Sequence, residues 1–351
     1  MELHGRRAMK GAGRVGLAGC LVAGAVGLGV PAAEAAPAPG WRVVKKVSAK
    51  GEFQSVAAVS AKRAWAVLSA PMDGNGAAAL LRWNGKKWSK QKLPASYSRY
   101  ALGGVEATSA NNVWLYGVGK GHKPFLARWN GKTWKKVPAP LKPYQKVTSL
   151  LVRGPKNVWF FTHEGGAGHY NGTKWRTYKL DMEPVDSAAH GGTVWVAGYE
   201  PEQRLPRIAV WKGGKWTYAA LPNGETAGFV SGITALGPKK VRAVGDDGSR
   251  GALYSWDGGE WKVTRAPGTS LRSVVPDGSG GLWASSRKGG VYRYKGGKWT
   301  RASIKGGGKS KHPLVLVDLA RIPGTKASVW AVGGHYGGRY FTDDLIFKYG
   351  K

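Results

Sequence analysis

Two sets of residues in this chain have the types and spacing to do chemistry. The first is a series of lysines that returns at one place in a repeated short turn: Lys86 and Lys87, then Lys132, Lys135 and Lys136, Lys174, Lys212 and Lys215, and Lys295 and Lys298. Ammonium groups repeated on a rigid frame bind polyanions, with an affinity that falls as salt rises. The second set mixes aromatic, guanidinium, imidazole and carboxylate groups in longer connecting segments. It comprises Tyr97, Arg99, Tyr100, Tyr144, His163, Glu164, Tyr199, Asp246, Asp247, Arg287, His335, Tyr336, Arg339 and Tyr340. Aromatic and arginine-rich loops suit stacking on sugar rings, and carboxylates suit hydrogen bonding to hydroxyls, so these are the candidate ligand-binding residues.

Catalytic patterns are sparse by comparison. Two carboxylates flanking a cleft could hydrolyse or cleave a glycan, which makes a glycan hydrolase or lyase the alternative to a binding role. Asp246-Asp247 lacks the spaced carboxylates of a dedicated calcium loop, so a polar loop is the expectation there and no metal is expected. His122, His163, His169, His190, His312 and His335 form neither an i, i+4 helical pair nor an H-x-H strand pair. There is no G-x-S-x-G elbow and no phosphate-binding P-loop, and no cofactor is expected.

The charge balance points outward. Lys and Arg total 54 against 20 Asp and Glu, a formal charge of +34. Solubility alone needs a magnitude of only ~2–8 in a small domain, so an anionic partner is expected. Residues 1–35 read as an export signal: Arg6, Arg7, Lys10 and Arg14 precede an apolar run from Val15 to Val30, and Ala33-Glu34-Ala35 offers a small-x-small cleavage pattern. The run is glycine-interrupted and short of the ~20 residues a membrane span needs. Met9 and Lys10 follow the arginine pair where a twin-arginine signal has Phe-Leu, which favours Sec export. Leu17-Ala18-Gly19-Cys20 resembles a lipobox, but most of the apolar run follows Cys20 instead of preceding it, so lipidation is a minor alternative. Cys20 is the only cysteine and would leave with the signal, so the mature chain would have neither disulfide nor thiol chemistry and would carry about +32.

The elements that must position these groups come from a repeat of about 44 residues. Each unit ends in an aromatic-to-Trp hairpin: Trp83 to Trp88, Trp129 to Trp134, Tyr170 to Trp175, Trp211 to Trp216, Trp256 to Trp261 and Tyr294 to Trp299. Asn-Gly or Gly-Gly at the turn supplies the positive φ of a tight hairpin. Each unit also carries a compact apolar strand centred on Trp65, Trp114, Trp159, Trp195, Trp283 or Trp330, with Arg242 in the equivalent place of the fifth. Apolar residues at consecutive positions need cover on both faces, as a blade has between two neighbours. The regular recurrence of Trp marks it as core and seam packing in place of sugar platforms.

These features predict an all-β, seven-bladed β-propeller with four-stranded blades as a single domain over residues 41–351, after a short linker at 36–40. The seventh hairpin stops at Tyr349, before its Trp, and the missing strand stands at the front of the domain as Trp41-Arg42-Val43-Val44-Lys45-Lys46-Val47. The N-terminal strand should therefore complete the last blade. The hairpins together with the V-W-A-V-G strand at Val329–Gly333 resemble secreted Trp-repeat propellers of high-GC Gram-positive bacteria, and more loosely the kelch and tectonin propellers. That resemblance covers essentially residues 41–351 and implies an architecture without transferring a site.

On this frame the lysine set lies on hairpin turns and outer strands, and the ligand-binding set lies on the opposite face near the channel. The expectation is a secreted monomer, extracellular or wall-associated, acting as a binding or scaffold protein. Its basic rim would engage anionic polymers such as wall polymer or acidic glycan, and its face loops a glycan or a protein.

Overall fold

The computed structural model describes residues 39–47, 51–70, 78–94, 97, 101–268, 270–338 and 340–350. The export signal, its cleavage site and Cys20 lie outside them, as do Arg99, Tyr100 and Arg339. Pro39–Lys351 is one compact unit, and no helix among the described residues is long and apolar enough to cross a membrane.

Seven antiparallel sheets form the domain, and six of them read in plain chain order from inner to outer strand. Blade 1 runs Glu52–Ser60, Arg63–Ser69, Ala79–Trp83 and Trp88–Gln91. Blades 2 to 6 follow the same plan, with inner strands Ala101–Ser109, Val147–Gly154, Glu183–His190, Phe229–Gly237 and Leu271–Pro276. Blade 7 is assembled from both ends of the domain. Leu314–Arg321, Val329–His335 and Asp344–Tyr349 are joined by Trp41–Val47 as the outermost strand. Trp41 faces Tyr349 across that seam, just as Trp88 faces Trp83 within the continuous hairpin of blade 1. A two-residue strand, Ile304–Lys305, then pairs in parallel with Trp41–Arg42 and covers the start of this outer edge.

The hairpins reach this geometry in two ways. Between Lys212 and Lys215, Gly213 and Gly214 take φ of 60° and 86°, the two successive left-handed residues of a type I′ turn. Between Trp83 and Trp88 the loop is longer. There only Gly85 turns left-handed, and the Asn84 side-chain oxygen accepts from the amides of Lys86 and Lys87, both at 2.9 Å. Either way the lysine side chains are thrown outward.

Seven hydrophobic clusters hold the ring, one for each pair of adjacent blades. The second-strand Trp of a blade enters the cluster shared with the next blade and meets its aromatic hairpin. Trp330 lies 5.1 Å from Trp83 and 5.0 Å from Trp88, and Trp159 lies 5.4 Å from Trp211 and 5.6 Å from Trp216, all edge-on. Blade 5 departs from the pattern. Its Arg242 turns to Asp257 in its own hairpin, with N–H···O contacts of 2.9 and 3.1 Å, and the cluster between blades 5 and 6 contains no fully inserted Trp.

Trp41 is 1% exposed and packs on Trp283 of blade 6 as well as on Tyr349. Trp41→Ala therefore removes both the seam pair and a blade–blade contact. The expected loss is about 3–5 kcal/mol of unfolding free energy, read from urea denaturation. A similar substitution at exposed Tyr144 should cost far less.

Candidate functional site

All seven inner strands carry a register shift near their first residues: Phe53/Ser55, Leu102/Gly104, Val147/Ser149, Pro184/Asp186, Val230/Gly232, Leu271/Val274 and Leu316/Asp318. A bulge adds an unpaired residue and re-aims the side chains beside it. Here the repeated bulge produces a tier of small or acidic residues where the blades converge: Ser55, Gly104, Ser149, Asp186, Gly232, Ser273 and Asp318. Most of them fasten one blade to another. Asp318 of blade 7 accepts the Val56 amide of blade 1 at 2.9 Å, and Asp186 of blade 4 accepts the Ile233 amide of blade 5 at 2.9 Å. Ser55 contacts the Val105 carbonyl at 3.2 Å, Ser149 and Ser187 meet at 2.7 Å, and Ser273 donates to Asp318 at 3.2 Å.

These strands enclose a polar cavity of about 370 Å³. Three residues of the ligand-binding set line it: His163, Tyr199 and Arg287. His163 sits 3.2 Å from Glu183, which also accepts the Tyr199 hydroxyl, and burial and that carboxylate push the phenol up to about 12. The Arg287 guanidinium lies 4.9 Å over the Phe229 ring.

The other described members of the set lie elsewhere. Glu164 lines an adjoining acidic groove of about 540 Å³ between blades 3 and 4, which shares His163 and Glu183 with the cavity. Tyr97 is a core residue, stacked 5.0 Å from Phe125. Tyr144 is 74% exposed and stacks on His122. Asp246 and Asp247 use their oxygens on the amides of Gly248, Ser249 and Arg250, which is the work of a turn. In blade 7, buried His335 pairs with Asp343 at 2.9 Å, Tyr336 bridges to Phe341, and Tyr340 stands partly exposed in the same connection. Among the described residues no group of three or more His, Cys, Asp and Glu is arranged to hold a metal ion.

The cavity also holds groups outside the ligand-binding set: Glu106, Asp186, Asp318, Arg272 and Tyr116. Asp186 lies inside the inner strand Glu183–His190 and is not among the candidate residues. The available signal was a charged residue within an otherwise apolar or small inner strand, as in Gly104-Val105-Glu106-Ala107 and Leu316-Val317-Asp318-Leu319. The glycines at 103 and 104 serve this chamber directly. A Cβ at either would come within 2.7 Å of the Tyr116 ring, so the pair makes room for that ring at the channel wall.

Burial dominates the electrostatics. It raises Glu106 well above the usual carboxylate range, and the charges of Asp318 and Asp186 raise it further. Asp186 is raised to about 7 by burial, against the opposing pull of the Ile233 and Ser187 amides. Asp318 is raised for the same reason and restrained by the Val56 and Leu319 amides. Both oxygens of Asp186 and of Asp318 are engaged by hydrogen-bond donors, whereas Glu106 takes no hydrogen bond among the described residues.

No protein-family model matches the sequence, and no curated protein matches it either. Solved structures match it through the fold. YCF48 bound to D1 peptide superposes with a TM-score of 0.62 at 13% identity, over 89% of this chain and 97% of that one. The WD40 repeats of RRP9 give 0.64 at 13% identity, over 89% and 98%. The SapL1 lectin in complex with alpha methyl fucoside gives 0.50 at 17% identity, over 73% and 97%. At these identities the likeness establishes the propeller and nothing finer. The chain is a seven-bladed β-propeller.

The raised folded-state pKa of Asp186 has a direct consequence for stability. An unfolded Asp loses its proton near about 4. Between that pH and about 7 the folded chain binds the extra proton, so this residue's contribution to unfolding free energy falls as pH rises through the interval. Asp186→Asn should flatten that part of the profile in urea titrations run across the same window.

Proposed function

We propose that the chain is an exported, non-enzymatic binding or scaffold protein whose basic rim engages anionic cell-surface or matrix polymers and whose channel face engages a glycan. The observation that carries this reading is the state of the repeat lysines. Lys86, Lys87, Lys132, Lys135, Lys136, Lys174, Lys212, Lys215, Lys295 and Lys298 are all exposed. The described ion pairs involve Lys46, His163, Arg242, Arg293 and His335, and none of the repeat lysines. Several carboxylates that could have neutralised them are withdrawn into the channel or the blades, as are Asp186, Asp318, Asp277 and Asp344. A cationic rim with its counter-charges turned inward favours association with a polyanion.

The Sec-type signal at 1–35 and the likeness to secreted Trp-repeat propellers support an extracellular or wall-associated location. The bound peptide in the YCF48 structure and the bound fucoside in the lectin support a binding role for a chain of similar fold. A protein partner on the same face is compatible with the first of these.

A second reading, glycan hydrolysis or lysis, is favoured by one observation: Glu106 stands in the cavity as a carboxyl that holds its proton well above the usual carboxylate range and has no partner among the described residues. The reaction needs a second free carboxylate, and the neighbours Asp186 and Asp318 spend their oxygens on backbone amides. Binding is therefore the stronger proposal.

The test is binding of residues 36–351 to wall polymer, acidic and neutral glycans and DNA across a salt series. Acidic polymers should bind at low salt, with a linear loss of log affinity against log salt. Replacing Lys86, Lys132, Lys174 and Lys212 with Gln should reduce that slope by roughly one for each lysine in contact. Absence of binding at low salt would sink the proposal, and release of shortened glycan would establish the catalytic reading in its place.

A further inference from the structure

The cavity has one wall of cations that the protein leaves without counter-ions. Arg272 sits in the bulge of the blade 6 inner strand, and Arg287 follows the second strand of the same blade, Leu282–Ser286. Both side chains line the cavity. Among the described residues Arg272 takes no hydrogen bond and no ion pair, although it is half-buried in the cavity wall. Arg287 has one long contact, 3.4 Å to the Ser231 hydroxyl. Burial lowers the pKa of Arg272 to about 10, and the positive field of Arg287 adds to that effect. The charges of Asp318 and Glu52 oppose it, yet neither carboxylate comes within ion-pair distance. Two guanidiniums lining one cavity without counter-ions favour an anion there, which can bridge them through paired charge-assisted hydrogen bonds.

The rest of the chamber narrows the ligand. Glu106 and Tyr116 offer polar groups suited to hydroxyls, and the carboxylates of Asp186 and Asp318 disfavour a second negative charge. The volume of about 370 Å³ lies at the lower end of small-ligand sites, about 300–1,000 Å³, which suits one sugar ring. We propose that the channel cavity is a binding site for a single carboxylate-bearing sugar unit, its carboxylate held by Arg272 and Arg287 and its hydroxyls by Glu106 and the opposite wall. This deepens the glycan part of the reading above: the rim would gather acidic polymer without selectivity and the channel would read one acidic residue of it.

Calorimetry of the purified protein at physiological salt tests this with galacturonic acid, galactose and inorganic phosphate as probes. Galacturonic acid should bind, galactose should bind far more weakly, and phosphate should not compete. Arg272→Gln and Arg287→Gln should each weaken galacturonic acid by about tenfold or more, the effect of losing one charged hydrogen bond. Arg287→Lys keeps the charge and loses the fork, so it should also bind more weakly with an unchanged melting temperature. It serves as the control should Arg272→Gln fail to fold. Lys86→Gln combined with Lys132→Gln should leave this affinity unchanged, which separates the channel from the rim. Failure of galacturonic acid to bind, equal binding by folded arginine variants, or preference for phosphate overturns the proposal. Polymer binding that ignores the lysines while galacturonic acid still needs the arginines would instead overturn the rim reading alone.

Discussion

The contact on which the ring depends is an indole edge set against an aromatic pair in the next blade. Trp159 against Trp211 and Trp216, and Trp330 against Trp83 and Trp88, repeat one piece of geometry around the axis. The aromatic pair is itself a cross-strand contact at the base of a hairpin, so local sheet pairing and blade-to-blade packing share the same side chains. This explains why the closing seam works. Trp41 and Tyr349 recreate the pair from opposite ends of the domain, and Trp283 meets it as it would meet a continuous hairpin. Where Arg242 stands in place of the indole, the residue compensates within its own blade through Asp257 and reaches no neighbour.

A ring held by apolar seams concentrates its polar difficulties at the axis. Inner strands converge there, and their backbone amides need acceptors where neighbouring edges do not form a common sheet. Asp186 and Asp318 meet that need by bridging blades 4 to 5 and 7 to 1. The cost is negative charge in a confined space, seen in the raised pKa of Glu106, Asp186 and Asp318. The same withdrawal of carboxylates leaves the outer lysines unopposed, so the interior arrangement of the ring and the field outside it are consequences of one distribution.

The cavity is correspondingly divided between groups with structural work and groups without it. Asp186 and Asp318 are occupied by amides, and Ser55, Ser149 and Ser273 by the neighbouring blades. Glu106, Arg272 and, apart from one long contact, Arg287 have no comparable duty among the described residues. Unspent polar groups facing one chamber are what a ligand site requires, and these are the ones on which recognition would rest.

The sequence by itself determined the architecture. The spacing of Trp, the Asn-Gly and Gly-Gly turns and the orphaned strand at Trp41 are local signals, repeated in six or seven copies, and each copy reports the same fold. Even the ring closure was legible, because the missing seventh Trp could be counted. The placement of the rim lysines followed from the turn chemistry beside them. The site was much less legible. Of the residues read as a ligand-binding face, His163, Tyr199 and Arg287 line the channel, while Tyr97 is packed into a core and Asp246 and Asp247 shape their own turn. Glu106, Asp318 and Arg272 stand in strands whose bulges leave no mark in composition or period, and a one-residue shift changes which side chains face the axis. Only the tertiary structure decided that arrangement, because a channel wall is made by residues from several blades that have no spacing in common along the chain.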